Sequence, residues 1–168
     1  MIPIVIIIIS ILLDGILTNI LPYTVNNLSI FTPMFTILIP IIIYPFYLKE
    51  EKKYLITLII TGIIYDIFYT NLLFYNAIVL FLFGLIIIKL YKNIGYNYVK
   101  VLIYSILGIV LYELFNTIII LIFNVVPITP YRVLYKISHS LLLNILYISI
   151  IYLIIKKLPK KYKKRRIN

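Results

Sequence analysis

Three carboxylates interrupt otherwise apolar stretches of this 168-residue chain: Asp14, Asp66 and Glu113. Acids in that setting could form a proton relay, a cation site, an aspartyl dyad or a set of interhelical hydrogen bonds. Each costs several kcal/mol if it faces hydrocarbon while charged, so each is expected to face inward or to be protonated. Asp14 lies thirteen residues after Met1, Asp66 twelve after Tyr54 and Glu113 twelve after Val101. At 1.5 Å per residue, helices starting at those points carry all three acids to one level, roughly 18–20 Å along. Asn144, on a helix running the other way, comes to about the same depth. Asn116 shares a face with Glu113, and Gly62 shares one with Asp66. A glycine there would let a second helix come close beside the acid.

Most catalytic readings fail on residue type. The chain has no cysteine and one histidine, His139, which excludes thiol chemistry and disfavours a metal centre. Tyr65-Asp66 resembles half of an intramembrane aspartyl protease site, but Leu12-Leu13 precedes Asp14 and no Gly-x-Gly-Asp occurs. No nucleophile elbow, H-E-x-x-H or phosphate-binding loop is present. The reading is of no catalytic, cofactor or metal site. Interhelical hydrogen bonding is the simplest role for the acids, with Asn76, Asn116 and Asn144 as candidate partners, and a polar cavity or partner site is the alternative. His139, one turn into the last helix, reads as a hydrogen-bonded structural residue.

The elements that must position these groups follow from hydropathy. Apolar residues make up 64% of the sequence, against about half in a soluble domain. A chain this short cannot bury that excess in a water-soluble core. Runs near the 20 residues a span needs occur at 2–21, 33–48, 54–69, 72–91, 101–126 and 136–155. The sequence therefore predicts an all-α membrane protein, a six-transmembrane-helix bundle over residues 1–155, with a basic tail at 156–168. The first run has no basic flank or cleavage signal and reads as a retained span. Pro33, Pro40 and Pro45 make the second run a kinked, short or partly re-entrant helix.

The formal charge of +11 does not point to nucleic acid, because of where it sits. Eight of the sixteen basic residues form the tail cluster Lys156, Lys157, Lys160, Lys161, Lys163, Lys164, Arg165 and Arg166. With both termini inside, fourteen basic residues fall on the cytoplasmic side, and only Arg132 and Lys136 fall outside. The expectation is a multi-pass protein of a bacterial cytoplasmic membrane, N-in and C-in, whose tail touches anionic lipid or a cytoplasmic protein. Tyr23, Tyr69, Tyr91 and Tyr131, near helix ends, fit interfacial anchors.

From Pro33 to Tyr91 the order of features resembles the rod shape-determining protein MreD family. Pro33-Met34 opens an apolar run, and Lys49–Lys53 forms a charged turn. Gly62 stands four before Asp66, the short turn Thr70-Asn71 follows, and Asn76-Ala77 and Gly84 lie on the next helix. The chain departs from the family at Thr70-Asn71 and at Phe74-Tyr75, where members often carry glycine. The resemblance implies a non-enzymatic membrane subunit of the rod complex, or elongasome, supporting cell shape and side-wall peptidoglycan synthesis. Its implied partners are MreC, MreB, RodA and a class B penicillin-binding protein. It also implies a fold like the S components of energy-coupling-factor transporters. A vitamin-binding S component is thus the competing function, with Asn26, Asn27 and Tyr131 as possible ligand contacts.

Overall fold

A computed structural model describes residues 2–20, 33–70, 72–94, 97–122 and 129–158. They form six α-helices: α1 (Ile2–Ile20), α2 (Phe35–Ile43), α3 (Glu51–Tyr69), α4 (Tyr75–Ile94), α5 (Tyr98–Ile122) and α6 (Pro130–Lys157). A 3-10 turn, Tyr44–Phe46, extends α2. Many of these residues are β-branched, which is weakly unfavourable for helix. In hydrocarbon, however, a helix satisfies its backbone within one segment, and that requirement overrides propensity. α1, α5 and α6 are each long and apolar enough to cross a membrane. Isoleucines and leucines such as Ile4, Ile8, Leu12, Ile60, Leu107 and Leu142 are exposed on the outside of the bundle. The chain is an all-α integral membrane protein.

The second helix departs most from an ordinary span. Its nine residues are all buried, and at 1.5 Å per residue it is only about 14 Å long. It packs against each of the other five helices and forms the axis of the bundle. Pro40, inside it, has no N–H, but its carbonyl accepts a hydrogen bond from the Tyr54 hydroxyl of α3 at 2.8 Å. The short option among those left open for 33–48 is the one adopted.

Around this axis, α3 and α4 form one antiparallel hairpin and α5 and α6 another. The α3–α4 hairpin is tight because Gly62 has no side chain: a Cβ there would overlap the Ala77 backbone and lie 2.6 Å from the Asn76 carbonyl carbon. At one end of the bundle the tyrosines form a ring cluster. Tyr44 stacks on Tyr91 at 5.3 Å and meets Tyr54 edge-on at 5.5 Å, and Tyr91 meets Tyr104 at 5.1 Å. Tyr91 is therefore buried and does not act as an interfacial anchor, whereas Tyr131 is 71% exposed. Tyr23 and the loop 22–32, with Asn26 and Asn27, lie outside the described residues.

Helix boundaries differ from the hydropathy runs where polar residues extend a helix. α3 starts at Glu51, three residues early, with an acid in its first turn, where the helix dipole favours it. α5 begins at Tyr98, whose ring lies 5.1 Å from Tyr152 of α6 and whose hydroxyl is 3.1 Å from Ser149 Oγ. α6 begins at Pro130, six residues before the expected Lys136. Proline suits a first helical position because its missing N–H would have no partner there, so 130–135 is helix and not turn.

Candidate functional site

α2 begins inside the bundle. Pro33 and Met34 are buried and non-helical, and the first N–H groups of a helix have no partner within it. Asp14 of α1 supplies the acceptors. Its Oδ1 accepts the Phe35 N–H at 2.8 Å. Its Oδ2 accepts the Thr36 N–H at 2.8 Å and the Thr36 hydroxyl at 2.5 Å. Asn144 of α6 completes the cap: its side-chain oxygen accepts the Met34 N–H at 2.8 Å, and its amide donates to the Ser140 carbonyl at 2.6 Å. Beside them, Phe35 stacks on Tyr147 at 4.0 Å, and the Tyr147 and Ser10 hydroxyls are 2.6 Å apart. One acid and one amide from opposite ends of the chain thus hold one buried helix start, and the α2 dipole favours a negative group at that point.

Asp66 repeats the arrangement at the start of α4. Its Oδ1 accepts from the Thr70 hydroxyl at 2.9 Å and the Asn76 side-chain amide at 2.7 Å. The Asn76 backbone N–H lies 3.0 Å from Oδ2 and 3.2 Å from Oδ1. The Asn76 side-chain oxygen in turn accepts the Tyr112 hydroxyl of α5 at 3.1 Å. Phe74, at the end of the connecting turn, has φ 66°, a left-handed conformation that suits glycine and strains a bulky residue.

Glu113 follows the same plan with a charge as its partner. Its Oε2 lies 3.3 Å from Nζ of Lys136, near the start of α6. The carboxylate is buried while the lysine side chain is 39% exposed. Lys136 reaches the acid from the second turn of a helix that starts earlier than hydropathy suggests. Among the described residues, Glu113 Oε1 has no hydrogen-bond partner. Asn116 accepts the Tyr75 hydroxyl, tying α5 to the start of α4.

Asp14, Asp66 and Glu113 therefore each engage the beginning of the helix that follows their own. Sequence reasoning put Gly62 and Asp66 on one face, and the structure sets Asn76 of α4 against both. It treated Asp14 and Asn144 as separate residues at one depth, and the structure joins them at a single cap. His139 stands apart, its Nδ1 2.9 Å from the Tyr135 carbonyl of its own helix and its ring stacked on Tyr135. Membrane serines and threonines such as Thr57, Thr61 and Ser105 bond the carbonyl four residues back, which satisfies them locally. Lys156 and Lys157 are exposed in the last turn of α6. Lys160, Lys161, Lys163, Lys164, Arg165 and Arg166 lie outside the described residues. No group of three or more metal-ligating side chains occurs among the described residues. A cavity of about 210 Å³ lies between α4 and α5, with Ile37 of α2 among its lining residues and Tyr112 as the polar one.

The model of the family described as rod shape-determining protein MreD matches residues 1–162 of the chain. No curated protein matches, and no solved structure does.

The two caps differ in how they use the carboxylate. Asp14 divides three donors between both oxygens, whereas Asp66 has every donor within reach of Oδ1. Asp14→Asn would turn an amide N–H toward one of the two backbone N–H donors of α2 and is expected to cost roughly 1–3 kcal/mol. Asp66→Asn keeps its principal acceptor and is expected to cost less. Thermal unfolding of both variants in detergent checks this order; a lower midpoint for Asp66→Asn than for Asp14→Asn would reverse it.

Proposed function

The chain belongs to the MreD family of rod shape-determining proteins, and from that membership we propose that it is a non-enzymatic membrane subunit of the rod complex. The observation that carries the proposal is the family match over residues 1–162. In this reading the chain binds MreC and stands beside MreB, RodA and a class B penicillin-binding protein, supporting side-wall peptidoglycan synthesis. The use of Asp14, Asp66 and Glu113 supports a structural role. Each is engaged with the start of a neighbouring helix, an arrangement that fixes a rigid bundle surface for partners. The competing S-component reading needs polar contacts for a vitamin, and the α4–α5 cavity has Tyr112 as its polar lining residue.

We place both termini in the cytoplasm, with six membrane passages. The tyrosine cluster draws the start of α3, the end of α4 and the start of α5 to one end of the bundle. The Tyr98–Tyr152 pair adds the end of α6. Lys52, Lys53, Lys89, Lys100, Lys156 and Lys157 gather there, and the positive-inside rule assigns that end to the cytoplasm. The short α2 passes with Pro33 and Met34 before it, whose non-helical backbone the Asp14–Asn144 cap makes tolerable at membrane depth.

Loss of the chain is expected to round rod-shaped cells, and the tagged protein to co-purify with its cognate MreC. Asp66→Asn is expected to restore rod shape and Asp66→Lys to fail, since a cation would face the N–H donors of α4. Failure to retain MreC, or equal loss with both variants, counts against the proposal. The chain has no native cysteine, so topology is open to single-cysteine labelling. In intact cells an impermeant maleimide should modify a cysteine at Tyr131 and spare those at Lys52 and Lys157; labelling of Lys52 but not Lys157 would overturn the assignment.

A further inference from the structure

The cavity between α4 and α5 is a slot open to the side of the bundle. Its floor includes Ile37 of α2, and its rims are Leu82 and Ile86 on α4 and Leu111 and Phe115 on α5. These four rim residues are 38–49% exposed, so the slot communicates with the surrounding bilayer. Gly108 contributes to it because a side chain there would strike the Phe83 ring.

Two lysines continue these rims toward the basic end. Lys89 lies three residues beyond Ile86 and seven beyond Leu82, on the same stripe of α4. Lys100 lies eleven residues before Leu111, about three full turns, and so shares its side of α5. The Tyr91–Tyr104 contact holds these parts of the two helices at one level, which brings both lysines to the same end of the slot. Lys89 is exposed and Lys100 half-buried. From Val79 to Lys89 the distance along the helix is about 15 Å. At about 210 Å³ the slot is too small for a turn of helix, which is about 10–12 Å across with its side chains.

We propose that this slot holds one acyl chain of an anionic phospholipid, with its phosphate beside Lys89 and Lys100. The apolar lining accepts the chain and the paired cations select the headgroup charge. The proposed site does not use the basic residues after Ile155. A lipid held here would complete the wall between α4 and α5.

Native mass spectrometry of the full chain released from detergent, with phosphatidylglycerol or phosphatidylcholine added at equal concentration, tests this. Retained phosphatidylglycerol is expected to exceed phosphatidylcholine by roughly tenfold, the scale set by basic residues near an anionic lipid surface. Lys89→Gln with Lys100→Gln should abolish the preference, while Lys156→Gln with Lys157→Gln should leave it. Val79→Trp, which fills the slot, should reduce retention of both lipids, and circular dichroism checks that each variant keeps its helices. Equal retention of the two lipids by the unmodified chain would overturn the proposal. So would a preference that survives the Lys89/Lys100 change or is lost with the Lys156/Lys157 change, or lipid retention unaffected by Val79→Trp in a folded variant.

Discussion

A helix that starts within a lipid-facing bundle carries N–H groups that neither water nor hydrocarbon answers, and in α2 the answer is Asp14. An unpaired backbone polar group in that setting costs several kcal/mol. The carboxylate takes the N–H groups of Phe35 and Thr36, and Asn144 takes that of Met34. Once these are satisfied, a nine-residue helix can be buried on all sides and serve as the axis for five others. Without them the segment would have to lengthen into an ordinary span or leave the interior. The rest of the architecture depends on that junction, because α2 is the element every other helix packs against.

The same solution appears at α4, where Asp66 holds the Asn76 amide groups while Gly62 lets the α3 and α4 backbones meet. Glu113 and Lys136 repeat the topology with an ion pair in place of a cap. Three alternate helix connections, α1–α2, α3–α4 and α5–α6, are thus tied by an acid reaching from one helix to the start of the next. For a member of a shape-determining family this matters mechanically. Partners in a membrane recognise shape and small polar features on a mainly apolar surface, and such a surface is reproducible only if the helices cannot slide. Polar residues buried in the interior fix register, leaving the outer faces free to be apolar.

Much of this was legible in the sequence, and the limits have physical causes. The acids announced themselves because charge is rare in apolar runs, and Gly62–Asp66 pointed to a close helix approach because four residues make one turn. The three prolines showed that the second run would not be a regular span. What periodicity could not reveal is which donors an acid meets, since Phe35 and Thr36 lie more than twenty residues from Asp14 and Asn144 comes from the last helix. Tyr91 reads as an interfacial residue by position, yet it is buried against Tyr44 and Tyr104, a tertiary fact with no local signature. Hydropathy also misplaced the start of α6, because Pro130–Tyr135 is polar enough to resemble a turn, and that error hid the partner of Glu113. Phe74 before α4 takes a left-handed conformation that its residue type does not announce.

Residue-resolved hydrogen exchange on the chain in lipid nanodiscs tests the Asp14 junction most directly. The Phe35 and Thr36 amides are expected to be strongly protected in the unmodified protein. In Asp14→Ala they should lose about tenfold or more of that protection, the scale of a lost helix cap, while amides in the middle of α5 stay unchanged. Exchange at the unprotected rate in the unmodified protein, or full protection retained in Asp14→Ala, would contradict the account.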